Sequence, residues 1–89
     1  MEQAKSTNKR VVASTRMLKG ARAALDLTQE ELARAAGISK ETLIALERGK
    51  YPSKPETRDA VQTALEFRGV VFTNGDNPGF YIPERRTHD

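Results

Sequence analysis

Polar side chains that can bind an anion occur at two points of the sequence, each at the predicted start of a helix. Thr28 and Gln29 open one helix, and Ser39 precedes the next. The first N–H groups of a helix have no partner within it, so a helix N-terminus beside a hydroxyl or amide favours a phosphate. The sequence therefore predicts anion binding at both points.

Two short helices should position these side chains. Thr28 followed three residues later by Glu31 forms the pattern of a capping box, and Gly37 should end the helix that it begins. Ser39 should cap the next helix, and Gly49 should end it. Two capped helices joined by a turn that contains glycine are the scaffold of a helix-turn-helix.

Two further helices are predicted around this pair. The first should begin at Ser14 or Thr15, and the fourth should begin with a second capping box, Ser53 with Glu56, and end at Gly69. In all four helices, apolar residues recur at spacings of three and four, which indicates one buried face. The predicted buried residues are Leu18, Ala21 and Leu25; Leu32, Ala35 and Ala36; Leu43 and Leu46; and Val61, Ala64 and Leu65.

The end of the chain predicts β structure. VVFT and FYI flank the turn-rich segment NGDNPG, a pattern typical of a β-hairpin. The predicted fold is therefore mainly α, a bundle of about four helices with a C-terminal hairpin or strand. In domain terms we expect a flexible basic arm over 1–13, a helix-turn-helix domain over 14–69, a hairpin over 70–83 and a disordered tail over 84–89.

Composition narrows the classes of function. Fifteen Lys and Arg against twelve Asp and Glu give a net charge of +3, which permits a polyanionic partner. The arm carries Lys5, Lys9 and Arg10, which either contact DNA phosphate or belong to simple disorder. The absence of cysteine excludes disulfides and thiol chemistry and suits the cytoplasm. No apolar run is long enough to cross a membrane.

Catalysis has no support in the sequence. The only histidine, His88, stands next to the last residue, in a segment expected to fray. No glycine-rich phosphate loop follows a predicted strand, and no pair of acids lies in a segment that should form a pocket. We therefore expect a protein that is not an enzyme and that uses no cofactor or metal.

A known family shares the pattern of the central segment. Residues 27–49 read LTQEELARAAGISKETLIALERG, and on this segment the chain resembles the Cro/CI-type (XRE-like, lambda-repressor-like) helix-turn-helix DNA-binding family. The resemblance covers residues 18–65. It implies a lambda-repressor-like bundle whose partner is double-stranded DNA, with the helix that begins near Lys40 in the major groove.

The resemblance also implies residue roles. The family's base-reading positions correspond to Lys40, Glu41 and Ala45, with Thr42 and Ile44 close by. Lys40 can donate to guanine, Glu41 can accept from cytosine, and an apolar side chain can pack on a thymine methyl. The alternatives are a solvated Lys40 and a Glu41 that only interacts with the helix dipole. Both residues depart from the glutamines that family members often carry there, so no operator sequence is inferred.

Phosphate contacts and one ion pair complete the predicted site. The predicted phosphate contacts are Thr28, Gln29, Ser39, Arg48, Lys50 and Lys54, with an ordinary basic surface as the alternative for the cations. Arg22 and Glu47 match the family positions that form a partly buried ion pair between the first and third helices. This pair is predicted to be structural.

The predicted function is transcriptional regulation. A repressor that occludes a promoter is the simplest mechanism for so short a chain, and a homodimer joined by a hairpin strand would match a palindromic operator. The alternative is an antitoxin or another regulator that uses the same domain to hold a toxin or a transcription activator. Ile44 and the FYI strand are the predicted contacts for such a partner.

Overall fold

The computed structural model describes residues 11–49 and 54–84 and confirms a mainly helical fold with a C-terminal hairpin. None of the described helices is long and apolar enough to cross a membrane. The elements, in chain order, are α1 Thr15–Ala24, α2 Gln29–Ala36, α3 Lys40–Arg48, α4 Pro55–Phe67, β1 Val71–Thr73 and β2 Gly79–Tyr81.

The first three helices begin at their predicted caps, and α2 and α3 end at their predicted glycines. The hydroxyls of Ser14, Thr28 and Ser39 each accept a backbone N–H from the first turn of the helix that follows. Gly37 and Gly49 end α2 and α3 in the left-handed conformation, with φ of 75° and 65°. Glycine adopts this conformation without the steric penalty of a Cβ atom, so these two positions set the lengths of α2 and α3.

The start of α4 differs from the prediction. Its N-cap is Lys54, whose side chain makes no capping hydrogen bond, and Pro55 occupies the first helical position. Proline suits this position because its fixed φ is helical and the first N–H has no helical partner to lose. The helix therefore begins one residue later than the sequence predicts, and Ser53, on which the predicted capping box with Glu56 depends, lies outside the described residues.

The core lies where α1, α2 and α4 meet, and α3 packs against α1 and α2. One predicted core position is wrong. Ala35 is exposed and Ala33 is buried, because α2 packs on both α3 and α4 and buries a face that includes two adjacent positions, Leu32 and Ala33. The buried hydrophobic residues are Ala13, Leu18, Ala21, Leu32, Ala33, Leu43, Leu46, Val61, Ala64, Leu65, Val70 and Phe72.

The hairpin packs on α1. Its strands pair with Phe72 opposite Phe80, and the two rings lie 6.3 Å apart in a tilted arrangement. A Cβ atom at Gly20 of α1 would lie 3.1 Å from Cε2 of Phe80, so the ring lies against the helix backbone. Thus Phe72 joins the core while Phe80 covers the glycine, and the hairpin is part of the same packed body as the helices.

The segment before α1 is held by a side chain of α4. The Gln62 amide oxygen accepts from Ala13 N at 2.9 Å, and its Nε2 donates to the Val11 carbonyl at 2.7 Å and to Glu66 Oε2 at 2.9 Å. The packed body therefore includes residues 11–13, which the sequence predicts as part of a flexible arm. Residues 1–10, with Lys5, Lys9 and Arg10, and residues 85–89 lie outside the described part of the chain.

Candidate nucleic-acid interface

The first turn of α3 presents exposed polar side chains. Lys40, Glu41 and Thr42 are all exposed, whereas Leu43 is fully buried and anchors the helix in the core. Ser39 fixes the turn, because its hydroxyl accepts the Thr42 N–H at 3.0 Å and lies 2.8 Å from the Thr42 hydroxyl. The turn is thus rigidly held by its cap while its outer face is open to a ligand.

The five predicted base-reading residues lie on one helix but differ in exposure. Lys40 and Glu41 are free of ion pairs within the described part of the chain, so both are available to a ligand. The Thr42 hydroxyl is shared with Ser39. Ile44 and Ala45 are half-buried and can offer only their outer atoms. Along α3, the charged groups of Lys40 and Glu41 therefore come first, and the small apolar surface of Ile44 and Ala45 follows.

A partly buried hydrogen-bond network connects α3 to α1 and α2. Arg22 donates from Nε to Glu47 Oε2 at 2.7 Å and from Nη2 to Glu47 Oε1 at 3.0 Å. A third guanidinium N–H reaches the Leu27 carbonyl at 2.8 Å. The side chains of Arg22 and Glu47 are 15% and 2% exposed. A bidentate pair of this kind fixes the two groups in distance and in orientation, so it holds α3 at a defined angle to α1.

Gln29 extends this network towards solvent. Its Nε2 donates to Glu47 Oε1 at 3.0 Å, and the residue is half-buried at the start of α2. The sequence predicts Gln29 as a phosphate contact but does not predict this bond. A primary amide carries two N–H donors, so one remains for a second acceptor. Glu47 therefore orients the amide of Gln29 as well as the guanidinium of Arg22.

The start of α2 is capped in both directions. Thr28 Oγ1 accepts the Glu31 N–H at 3.0 Å, and Glu31 Oε1 accepts the Thr28 N–H at 2.8 Å. This reciprocal arrangement satisfies the backbone N–H groups of Thr28 and Glu31. The N–H groups of the first helical residues stay available, which is the usual form of an anion site at a helix N-terminus.

The remaining predicted phosphate contacts are distributed around α3. Ser39 lies before it, Arg48 is its last residue, and Lys54 follows before α4; all three are exposed. Lys50 lies outside the described residues. In the described part of the chain, no group of three or more His, Asp or Glu side chains is placed to bind a metal ion.

Two residues of α4 that the structure makes conspicuous were not identified from the sequence. Gln62 looked like an ordinary polar residue of α4, yet it is 2% exposed because it receives the segment before α1. Phe67 was not assigned at all, and its side chain is 88% exposed. Helical spacing could have identified Phe67, because it lies off the stripe of Val61, Ala64 and Leu65. No local pattern identifies Gln62.

Known proteins share the central part of this chain. A family model described as helix-turn-helix matches residues 18–58. One uncharacterized HTH-type transcriptional regulator of Archaeoglobus fulgidus is 39% identical over 54 residues, which are 61% of this chain and 73% of that protein. A second from this organism is 46% identical over 50 residues, or 56% and 69% of the two chains. A regulator of Methanocaldococcus jannaschii is 56% identical over 34 residues, 38% of this chain and 52% of its own length.

Proposed function

Because this chain belongs to the Cro/CI-type helix-turn-helix family of transcriptional regulators, we propose that it represses transcription by occupying a specific DNA site through α3. The observation that carries this proposal is the first turn of α3. There Lys40 and Glu41 are exposed and make no ion pair with described residues, on a helix whose other face is buried. The major groove is wide enough for one helix, and its N-terminal residues meet the base edges first.

The chemistry of this turn suits direct readout. Lys40 donates to guanine O6 or N7, Glu41 accepts from cytosine N4, and the outer atoms of Ile44 or Ala45 contact a thymine methyl. Thr42 is committed to Ser39 by its hydroxyl and contributes its methyl group to this surface. Each such contact would discriminate between bases at one position of the site.

Phosphate contacts would set the register of α3 in the groove. One N–H of the Gln29 side-chain amide donates to Glu47, and the second can donate to a phosphate at the start of α2. Thr28 lies beside it, and the exposed cations Arg48 and Lys54 stand at the last residue of α3 and just before α4. The proposed phosphate contacts are Thr28, Gln29, Ser39, Arg48, Lys50 and Lys54.

We propose further that the protein acts as a homodimer on a palindromic operator. Two copies of α3 related by a twofold axis would read half-sites about 34 Å apart, one turn of the DNA helix. A domain of this size also gains stability from association, because small domains bury a modest share of their surface. The proposed region of contact is the hairpin. It follows α4 in the chain and has two strands with free edges.

The test is selection of random duplex DNA by the purified protein, followed by affinity measurements over a range of salt concentrations. We expect a palindrome, bound more than about 10³-fold more tightly than scrambled duplex. Lys40→Ala should cost about 1–3 kcal/mol on the selected site and relax preference at one base position. Arg48→Ala should weaken binding to every duplex and lower the salt slope by about 1.

The matched control for these variants is Lys19→Ala, which removes one exposed cation from α1. It should leave both the preferred sequence and the affinity close to those of the wild type. Weak, salt-sensitive binding that selects no sequence would contradict the proposed readout by α3.

A regulator that holds a protein partner is the second candidate. The observation in its favour is the exposure of Tyr81 and Ile82, the last strand residue and its neighbour. Large apolar side chains exposed together are typical of interaction surfaces. Co-purification of the tagged full chain with a stoichiometric partner, abolished by Tyr81→Ser, would support this candidate.

A further inference from the structure

Phe67 stands at the edge of an apolar groove at the end of the domain. The phenyl ring belongs to the last residue of α4 and is 88% exposed, more than any other large apolar side chain in the described part of the chain. The groove beside it has a volume of about 700 Å³. Its lining residues are Leu25, Phe67, Arg68, Gly69, Ile82, Pro83 and Glu84.

The position of the groove allows another protein chain to bind it without covering α3. It is formed by the end of α1, the end of α4 and the segment after β2, and no residue of α3 lines it. Binding there would leave Lys40 and Glu41 free to meet DNA. The floor is apolar through Leu25, Ile82 and Pro83, and Gly69 leaves space where a side chain would otherwise project.

The groove and the ring beside it supply the two parts of a twofold contact, a hollow and a protruding side chain. A twofold axis brings a surface of one copy against the same surface of the other, so the residue that protrudes must match the hollow beside it. Phe67 protrudes, and the neighbouring groove is of a size that accommodates small organic groups. Each copy can therefore insert its phenyl ring into the groove of the other.

The charges at the groove are also self-complementary. Arg68 follows Phe67 directly, and Glu84 lies at the carboxyl end of the same groove. No ion pair joins these two side chains, and Arg68 makes only a long 3.5 Å contact to the Ala64 carbonyl. When Phe67 enters the groove of a second copy, Arg68 moves with it towards the opposite charge of Glu84.

We propose that the occupant of this groove is a second copy of this chain, with Phe67 of each subunit seated between Leu25 and Ile82 of the other. Arg68 of each subunit then pairs with Glu84 of the partner subunit. The inference rests on the homodimer of the proposed function and identifies its contact surface. The hairpin contributes Ile82 through the segment that follows β2, so strand pairing is not required.

Sedimentation velocity on the full chain from 1 to 100 µM tests the contact. The wild type should dimerise, and Phe67→Glu should weaken the dimer by at least about 100-fold, because two rings lose their burial. Val12→Glu is the control, since Val12 is 65% exposed and lies against the start of α4, away from this groove. Thermal melting by circular dichroism should show that both variants are folded.

A charge exchange tests the proposed twofold arrangement. Arg68→Glu and Glu84→Arg should each weaken self-association, because like charges then meet twice across the axis. An equimolar mixture of the two variants should form a heterodimer, since both contacts again join opposite charges. A monomeric wild type at 100 µM, a Phe67→Glu variant that still dimerises, or a mixture that does not associate would each overturn the proposal.

Binding to the selected duplex separates this inference from the proposed function. A monomeric wild type that still selects one DNA sequence would end the groove proposal and leave DNA readout standing. If Phe67→Glu disrupts the dimer but the protein selects no DNA sequence, the groove proposal would stand and the proposed DNA readout would fail.

Discussion

Two buried polar side chains, Glu47 and Gln62, hold different segments of the described domain in different ways. Glu47 is ionic, and it connects α3 to Arg22 of α1 and to Gln29 of α2. Gln62 is neutral, and it connects α4 to the backbone at Val11 and Ala13. The first fixes a helix that we propose to enter DNA, and the second fixes the path of an extended segment.

The difference lies in what each side chain leaves behind when it is removed. Loss of Glu47 leaves a guanidinium that is largely screened from water with no counter-ion. Loss of Gln62 leaves one N–H and one carbonyl without partners. A stranded charge costs more than a stranded dipole, so the ionic contact should dominate stability although both residues are almost equally buried.

The largest effect is expected for Glu47→Ala. We expect a loss of about 3 kcal/mol in the free energy of unfolding, near the lower end for buried pairs because Arg22 keeps its bond to Leu27. For a domain of this length, that loss should lower Tm by about 12 °C or more. Thermal melting followed by circular dichroism measures it.

The control is Glu30→Ala, which breaks the exposed pair with Arg34, whose charged atoms lie 3.8 Å apart. That change should alter stability by less than about 1 kcal/mol. The double variant Arg22→Met with Glu47→Leu should be more stable than Glu47→Ala, because no charge is left buried. Equal Tm losses for Glu47→Ala and Glu30→Ala would show that the contact between Arg22 and Glu47 does not dominate stability.

An intermediate effect is expected for Gln62→Met, which keeps the side-chain volume but not the amide. The Ala13 N–H and the Val11 carbonyl lose their partner, at a cost of about 1–3 kcal/mol. Urea unfolding measures the loss, and hydrogen exchange localises it: the Ala13 amide should exchange much faster, while the Leu43 amide should not. Unchanged protection at Ala13 would show that Gln62 does not hold this segment.

The smallest effect is expected for Gly20→Ala. Alanine stabilises a helix interior by about 1 kcal/mol relative to glycine. The new Cβ would lie 3.1 Å from Phe80, so the half-buried ring must shift slightly. We expect a net gain of about 0.5 kcal/mol in urea unfolding. With Phe80→Ala already present, the gain should be larger, and an identical gain in both backgrounds would show that the ring does not contact the helix.

The sequence predicts the elements that are specified locally. Thr28 with Glu31, Ser39, Gly37 and Gly49 mark the limits of α2 and α3 because caps and left-handed glycines act within one turn of the chain. The contact between Arg22 and Glu47 was implied by resemblance, and the hydrogen bonds show its geometry.

Contacts between distant segments were not predictable. Gln62 meets residues about 50 positions earlier, and nothing near either segment distinguishes it from other glutamines. The hydrogen bond from Gln29 to Glu47 also depends on how α2 and α3 cross. The start of α4 differs by one residue because Ser53 with Glu56 and Lys54 with Pro55 are competing local patterns, and the helix begins with proline at its first position.

The contact of Phe80 with Gly20 has a consequence for protein engineering. A fragment limited to residues 18–58, the part shared with the helix-turn-helix model, would lack the ring that covers α1 and the α4 core residues that follow. Such a fragment should not be an autonomous module. On the readout by α3 that we propose, a foreign DNA specificity is best transferred by exchanging exposed positions of α3 alone, because the packing that supports the helices includes residues 11–13 and the hairpin.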